Sequence, residues 1–226
     1  MNKFVSVILG LPKTLRLNFS VFEIKEALSL PILVAPNVRI NWKTLRRGTI
    51  SLLKYKPGLV NIGFYEGIGA TTSNKTVIDI RKNGHLQFNG KTCIARGSYF
   101  LIENADVRIG NNFHGGNNLK LIARKKITVG DNVLISWDCT IMDSDGHDIY
   151  NEKMSKIMNV AKDVTIGSDV WIGANVHILK GTHIPNGCVI AAGTLLSSEE
   201  LIEQYAIYGN QTNDIRLIKR KIHWKQ

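Results

Sequence analysis

The sequence predicts an all-β fold in which short parallel strands wind into a β-helix. Aliphatic residues recur at every sixth position from residue 166, small or β-branched residues follow most of them by four places, and the same register appears twice upstream. A period of six fits neither an α-helix nor a single long strand, whose periods are about 3.6 and 2 residues. The aliphatic positions are Ile166, Ile172, Ile178, Ile184, Ile190 and Leu196.

Each repeat is expected to form one side of a triangular coil of about 18 residues, and the coils stack as parallel strands about 4.8 Å apart. Glycine often follows the aliphatic residue and is expected to make the corner. A β-sandwich is the alternative, but it does not predict a sixfold register kept over six repeats. The small positions are Val170, Val176, Thr182, Cys188 and Thr194, the upstream repeats are Val129, Ile135, Ile141 and Phe88, Ile94, Phe100, and the glycines are Gly110, Gly130, Gly167 and Gly173.

The register divides the chain into three segments. Residues 1–60 are expected to form an N-terminal cap region, residues 61–198 the β-helix, and residues 199–226 a C-terminal tail or helix. Within the β-helix the register breaks over residues 142–165, which are polar and irregular. Long insertions of this kind in compact domains are usually functional, so this segment is predicted to be a catalytic loop.

Both ends of the solenoid are expected to be covered, because the outermost coils otherwise present unpaired strand edges. The pattern Ser20-x-x-Glu23 indicates a capping box before a short helix. The basic stretch from Ile215 to Trp224 is predicted to be a short terminal helix packed along the coils.

Composition and charge indicate a folded chain with basic ends. The chain has 226 residues, 44% apolar, with a net charge of +11, which excludes a disordered chain. Residues 1–60 hold ten lysines and arginines against Glu23 and Glu26, and residues 211–226 hold five against Asp214. Basic ends could contact an anionic membrane face or an anionic carbohydrate, although solvated surface charge is the simpler interpretation. No motif indicates nucleic-acid binding.

Cysteine usage and hydropathy bear on location. Three cysteines without a CxxC pair argue against a disulfide framework and for a reducing compartment. The apolar stretch from Phe4 to Leu11 is too short to span a membrane and lacks the pattern of a cleaved signal peptide. A cytoplasmic protein is expected, with membrane association at the inner face left open.

Several segments resemble the hexapeptide-repeat acyltransferases over about residues 77 to 216. The most specific are residues 170–176 with 178–181, residues 191–193, and residues 135–147, which are most similar to O-acetyltransferases of capsule, lipopolysaccharide and exopolysaccharide synthesis. The resemblance implies a left-handed β-helix, a homotrimer, and acetyl-CoA or another acyl-CoA as donor. No metal is expected.

His147 is the candidate general base. Transfer of an acyl group to a sugar hydroxyl needs a base that accepts the hydroxyl proton, and a neutral imidazole suits this role near neutral pH. His147 lies in the irregular segment and matches the catalytic histidine that the resemblance implies. Asp143 and Asp145 are the nearby carboxylates that could orient its ring.

The resemblance also assigns the donor and acceptor contacts. It implies that coenzyme A is contacted by Ala174, Ala192, Lys180 and Arg216. It also implies that tryptophan side chains form one wall of the acceptor or acetyl pocket. Trp171 and Trp137 are the tryptophans assigned to that pocket, and Trp171 could instead serve only packing. Two residues depart from the family pattern, because Ser198 stands where many relatives carry lysine and Gln211 where they carry proline.

Two other chemistries are weaker. A zinc site of histidines, found in one branch of this fold, is disfavoured because His177 and His183 are six residues apart and should lie on different sides of the coil. Nucleophilic catalysis by Cys139 or Cys188 is disfavoured because both occupy the small, packed position of a repeat.

The sequence therefore predicts an acetyl-CoA-dependent O-acetyltransferase. Its acceptor would be a sugar hydroxyl of a surface polysaccharide or of a precursor that could be lipid-linked, in a site between neighbouring subunits. An N-acetyltransferase of an amino-sugar nucleotide, or an acetyltransferase of a small sugar or antibiotic, is the alternative. A β-helix scaffold without activity is a third interpretation.

Overall fold

The chain winds into a parallel β-helix with three sheets around one apolar core. A computed structural model describes residues 3–65, 73–197, 201, 203–211 and 214–224, with the side chains of Lys3, Gln211, Asp214 and Arg216 excepted. Successive strands pass from sheet A to sheet B to sheet C and then return to sheet A one layer further along. Every pairing between neighbouring layers is parallel until the last strand of sheet A.

Each sheet takes every third strand of the coil. Sheet A contains β1 (Ile32–Val34), β4 (Val60–Ile62), β7 (Thr92–Ile94), β10 (Phe113–Gly115), β13 (Leu134–Ile135), β16 (Trp171–Ile172), β19 (Val189–Ile190), β21 (Ile207–Gln211) and β22 (Asp214–Lys219). Sheet B contains β2 (Arg39–Ile40), β5 (Val77–Arg81), β8 (Tyr99–Glu103), β11 (Lys120–Ala123), β14 (Thr140–Met142), β17 (His177–Ile178) and β20 (Leu195–Leu196). Sheet C contains β3 (Ile50–Leu52), β6 (His85–Phe88), β9 (Asp106–Ile109), β12 (Lys126–Val129), β15 (Val164–Ile166) and β18 (His183–Ile184).

The sixfold register defines the core. All aliphatic positions of the predicted repeats are buried, including Phe88, Ile94 and Phe100 of the upstream set. The β-helix begins earlier than the predicted boundary at residue 61, because β1, β2 and β3 already form a coil from Ile32 onward. This first coil was missed because its strands are spaced irregularly in the sequence.

The left-handed corner positions are occupied by asparagine, aspartate and glycines such as Gly187, rather than by the glycines at the second position of the repeat. At the corner between sheets C and A, Asn112, Asn132 and Asp169 adopt left-handed φ angles of 57°, 55° and 58°, which short polar side chains tolerate. Their side chains form a ladder, with Asn112 donating to Asn132 at 3.2 Å and Asn132 donating to Asp169 at 2.9 Å. The predicted corner role of glycine is therefore wrong at these positions.

The glycines serve the stacking of one coil on the next. A Cβ atom on Gly110 would lie 2.2 Å from the carbonyl oxygen of Gly130, and one on Gly130 would lie 2.6 Å from backbone atoms of Gly167 and Ser168. Because backbone cannot yield as a flexible side chain can, close approach between layers explains the glycine at the second position.

Helix α1 (Lys3–Val21) covers the open edge of the first coil. Asn18 donates from Nδ2 to the carbonyl oxygen of Ile32 at 2.8 Å and accepts from the Ile32 amide at 3.2 Å, and Thr14 Oγ1 accepts from the Val34 amide at 3.0 Å. Asn18 and Thr14 are buried, so two side chains of the helix satisfy a strand edge that would otherwise lack partners.

The entry to the second helix differs from the predicted capping box. Helix α2 (Ile24–Ala27) begins after Glu23, whose side chain pairs with the backbone of Glu26 while the side chain of Glu26 accepts from the Glu23 amide. Ser20 lies inside α1 and donates to the carbonyl oxygen of Arg16 at 2.6 Å. Helix α1 continues through Ser20, which was expected to cap the next helix. The observed capping box therefore begins at Glu23, about one helical turn after the predicted one.

The predicted C-terminal helix is wrong. Strand β21 extends sheet A in parallel with β19, and β22 turns back to pair antiparallel with β21. The reason is a period of two, since Ile215 and Leu217 pack against the core while Ile218 is exposed. This hairpin covers the last edge of sheet A.

Helix α1 is also the one described helix that is long and apolar enough to cross a membrane, over Phe4–Val21. The sequence prediction judged only the shorter stretch to Leu11. Length and composition are weak evidence, because a third of this segment is buried against the β-helix.

Candidate active site

The predicted catalytic loop leaves the β-helix at the corner between sheets B and C. No strand lies between Met142 and Val164, apart from an isolated bridge that pairs Tyr150 with Ile157. The loop therefore projects from the coil that contains β14 and β15 and is stabilised mainly by side-chain hydrogen bonds.

Asp143 anchors the start of the loop. Its two carboxylate oxygens accept from the amides of Arg124 at 2.7 Å and Lys125 at 2.8 Å, which turn the corner of the preceding layer. The side chain is fully buried, and burial raises the pKa of this carboxyl although the backbone donors oppose the shift. Asp143 thus has a structural partner in the corner rather than in the His147 ring.

A second contact network closes the loop over itself. Lys180, at the end of the β17 layer, pairs with Asp145, and its Nζ donates to the carbonyl oxygen of Asn159 at 3.0 Å. Asn159 Nδ2 donates to Asp145 Oδ2 at 2.9 Å and to the carbonyl oxygen of His147 at 2.8 Å. Its Oδ1 accepts from the amide of Ile149 at 2.6 Å. Lys180 and Asn159 hold the pKa of Asp145 below its usual range.

His147 is presented to solvent by this network. Its backbone is fixed by Asn159, while its side chain is exposed. In the part of the chain that the structure describes, neither Asp143 nor Asp145 forms a hydrogen bond or ion pair with the imidazole, because both carboxylates are engaged elsewhere. The structure thus brings Asp145 and Lys180 together under the loop and leaves the His147 ring accessible.

The two alanines assigned to coenzyme A stack at a different corner, between sheets A and B. Ala174 accepts from the Gly193 amide at 2.8 Å, and a Cβ atom on Gly173 would lie 2.6 Å from the nitrogen of Ala192. Among the described residues, the amide groups of Ala174 and Ala192 donate to no carbonyl oxygen, whereas the flanking amides of Gly173, Asn175 and Gly193 all do. Two N–H groups in successive layers that lack a carbonyl partner among the described residues can bind carbonyl oxygens of an extended ligand.

Trp137 and Trp171, the two tryptophans assigned to the acceptor or acetyl pocket, lie near each other. Both line an open pocket of about 240 Å³ on sheet A, and each is 39% exposed. Trp171 Nε1 donates to Ser136 Oγ at 3.4 Å. The other lining residues are Tyr65, His114, Gly116, Asn117, Leu134 and Ile135.

Two residues of this pocket were missed by the sequence analysis. His114 packs edge-on against Tyr65 at 4.7 Å between ring centroids, and burial lowers the pKa of its imidazole by disfavouring the charged form. Asn117 is buried at the same corner as Ala174. No periodic signal marks either, since both occupy positions where the repeat tolerates many residue types.

The remaining assigned residues have different positions. Lys180 is engaged with the catalytic loop rather than placed beside the alanine corner. Arg216 belongs to strand β22, and its side chain lies outside the described residues, as does all of Ser198. Cys139 and Cys188 are buried, and burial raises the pKa of the Cys139 thiol to about 11, which opposes a nucleophilic role.

The histidines do not converge. His177 lies on sheet B and His183 on sheet C, as the spacing predicts. Within the described residues, no three His, Cys, Asp or Glu side chains come together as a set that could hold a metal ion.

One chain alone keeps the loop and the alanine corner apart. The loop rises where sheet B meets sheet C, and Ala174 and Ala192 lie where sheet A meets sheet B. The width of a sheet B side lies between them, roughly 15 Å for five residues of extended chain.

These features define a parallel β-helix protein built from six-residue repeats. Residues 163–198 match the sequence profile of the bacterial transferase hexapeptide, with six repeats. This match confirms the predicted resemblance to the hexapeptide-repeat acyltransferases.

One solved structure supports the same fold, and a second aligns less well. The crystal structure of the polySia-specific acetyltransferase NeuO aligns with a TM-score of 0.57 at 20% identity, over 86% of this chain and 68% of that one. AntD, an N-acyltransferase from Bacillus cereus in complex with dTDP and 3-hydroxybutyryl-CoA, aligns with a TM-score of 0.46 at 16% identity, over 89% of this chain and 90% of that one. The predicted left-handed parallel β-helix is confirmed. No curated protein sequence matches the chain significantly.

Proposed function

We propose that this protein is an acetyl-CoA-dependent O-acetyltransferase that acts on a sugar hydroxyl of a surface polysaccharide or its precursor. The observation that carries the proposal is the exposed imidazole of His147, held through its own backbone on a loop that Lys180, Asp145 and Asn159 fasten to the coil. A base placed in this way is accessible to a large acceptor and fixed in position.

The acetyl group would pass directly from sulfur to oxygen. His147 accepts the proton of the sugar hydroxyl as the oxygen attacks the thioester carbonyl carbon. The tetrahedral intermediate then expels the sulfur of coenzyme A, which takes the proton from the imidazolium. The products are the sugar acetate and free coenzyme A, and His147 returns to its neutral form.

The donor is proposed to lie along the corner between sheets A and B. The amides of Ala174 and Ala192, which have no carbonyl partner among the described residues, are suited to the carbonyl oxygens of the pantetheine arm or to the developing oxyanion. Arg216 is proposed to contact the phosphates of coenzyme A, since its guanidinium geometry suits them. Trp137 and Trp171 would form one wall for the acceptor or the acetyl group.

The assembly is proposed to be a homotrimer with each site between two chains. The separation of the loop from the alanine corner within one chain supports this arrangement. The polySia-specific enzyme with a similar fold supports a polysaccharide as the acceptor class. A cytoplasmic location at the inner membrane face, with a precursor that is lipid-linked, completes the proposal.

The first experiment measures thiol release from acetyl-CoA by the full chain with acceptors that carry hydroxyls alone or a free amine. We expect release with hydroxyl acceptors and a loss of turnover of about 10²- to 10⁴-fold in His147→Ala. His183→Ala is the matched control, because His183 lies outward on sheet C. Near-normal turnover by His147→Ala would reject the base, and release with amines alone would favour the N-acetyltransferase.

A second experiment tests whether the site is shared. His147→Ala removes the base, and Ala192→Trp fills the corner, so each variant alone should be inactive. If the two chains are co-expressed and mix at random, about one site in four combines an intact loop with an intact corner from neighbouring chains. Recovery of about a quarter of wild-type activity supports a site between subunits, and no recovery contradicts it.

A further inference from the structure

Helix α1 presents a continuous apolar stripe that the β-helix does not cover. Phe4, Ile8, Leu11, Leu15 and Phe19 follow one another at helical spacing, and they are between 40% and 71% exposed. Isolated exposed apolar side chains are ordinary, but a stripe along about four helical turns marks an interaction surface.

The helix cannot turn this stripe inward, because its opposite face is already engaged. Asn18 and Thr14 are hydrogen-bonded to the backbone of β1, and Leu17 and Val21 are buried in the core. The exposed stripe therefore faces away from the body of the protein as a fixed feature of the fold.

The surroundings of the stripe are basic. Residues 1–60 carry ten lysines and arginines against two glutamates, and α1 itself contains no acidic residue. Arg16 lies over the ring of Trp42 at 4.3 Å, and Lys13 Nζ donates to the carbonyl oxygen of Val38 at 2.8 Å. Arg16 thus holds positive charge beside the stripe, whereas the Lys13 ammonium is turned toward the first coil, where it also donates to the carbonyl oxygen of Pro36.

We propose that α1 binds the surface of a bilayer that contains anionic lipids, with the helix parallel to the membrane plane and its stripe between the headgroups. An apolar face flanked by lysine and arginine is typical of interfacial helices, and basic clusters are attracted to anionic leaflets. The β-helix would stand on the membrane by its N-terminal coil. This proposal does not depend on the proposed enzymatic function.

Two other arrangements of α1 fit the structure less well. Spanning the bilayer would require the helix to leave the β1 edge, which exposes the paired groups of Asn18 and Thr14 and the buried third of the segment. Packing against α1 of a second copy would bring two basic regions together, and like charges oppose that contact.

The test is flotation of the purified full chain with vesicles of phosphatidylglycerol and phosphatidylethanolamine. We expect binding that falls at least fivefold with neutral phosphatidylcholine vesicles or at high salt, because screening weakens the charge contribution. Ile8→Glu should lower binding at least fivefold. Ile218→Glu is the matched control, since Ile218 is exposed to a similar extent, 58% against 54%, at the other end of the β-helix.

Each other outcome overturns the proposal. Absence of vesicle binding by the wild type rejects it, and equal binding by Ile8→Glu rejects the role of the stripe. If the wild type does not bind vesicles, and the assembly of Ile8→Glu has a lower molecular mass than that of the wild type without lipid, then the stripe contacts a second copy of the chain. Resistance of bound protein to alkaline extraction shows a spanning helix. If Ile8→Glu does not fold, Leu15→Gln replaces it in the same comparison.

Discussion

Asn159 donates a hydrogen bond to the backbone carbonyl of His147, and the same amide group donates to Asp145. The candidate base is therefore held by a residue twelve positions later, whose own backbone carbonyl accepts from Lys180. The position of the imidazole depends on a small network at the foot of the loop rather than on a carboxylate beside the ring.

Asn159→Ala tests this dependence. Loss of the contacts to His147, Ile149 and Asp145 should loosen the loop and lower kcat by about 10- to 100-fold, because displacement of a catalytic group by an ångström has effects of that size. The KM for acetyl-CoA should change little. Steady-state kinetics and limited proteolysis of the loop measure the two effects.

Asn151→Ala is the control for that measurement. Asn151 also makes side-chain contacts in the loop, but these are to Ser155 and Lys156 rather than to His147 or Ile149. Equal kcat losses in both variants would show that general loop order matters and that Asn159 has no positioning role.

The sequence predicted the β-helix because its signal is periodic. A side chain every sixth residue must point into the core if each repeat forms one side of the coil, and Ile166, Ile172 and Ile178 do so. The ends carry other periods. The apolar stripe of α1 lies at helical spacing on an exposed face. At the other end, Ile215 and Leu217 alternate with their neighbours over only a few residues, so the basic stretch was predicted to be a helix.

The site was predictable only where it follows the repeat or a motif. Ala174 and Ala192 lie at equivalent corners of successive layers, as the register requires. Asp143 was assigned because it lies near His147 in the sequence, and Lys180 was assigned by resemblance. The structure gives Asp143 contacts to a corner and Lys180 contacts to the loop, which no local pattern records. Asn159 belongs to an irregular segment, where only the folded contacts identify it.

Gly130→Ala tests the reason for glycine between layers. The added Cβ would lie 2.6 Å from backbone atoms of the next coil, so we expect a loss of about 1–3 kcal/mol in the free energy of unfolding from overpacking. Gly48→Ala is the contrast, because Gly48 has a φ of +78° and open space around it. It should lose only the roughly 1–2 kcal/mol of left-handed strain. Normal stability of Gly130→Ala in a denaturant titration would contradict the stacking explanation.

Asn18→Ala tests the cap on the first coil. It removes both hydrogen bonds to Ile32 and leaves a buried amide and carbonyl without those partners, at an expected cost of about 2–4 kcal/mol in the free energy of unfolding. Ser20→Ala is the control in the same helix, because Ser20 is half-buried and its hydroxyl donates to Arg16 of its own helix rather than to the β-helix. It should change stability by less than about 0.5 kcal/mol. Similar effects of the two substitutions would show that α1 does not protect the strand edge.

Cys139 should make stability depend on alkaline pH. Its pKa in the folded chain is about 11, because burial disfavours the thiolate, whereas an unfolded thiol ionises near pH 8.5. The folded state therefore keeps its proton longer, and the contribution is complete below the unfolded pKa and is lost as pH rises toward 11. The free energy of unfolding should fall by about 1.4 kcal/mol per pH unit within that window.

Other groups also ionise in this range, so the measurement is the difference in unfolding free energy between wild type and Cys139→Ala at pH 8 and pH 10. Cys93→Ala, which replaces the half-buried cysteine, should keep the wild-type slope. A slope unchanged in Cys139→Ala would show that the thiol is not held neutral by the packed core.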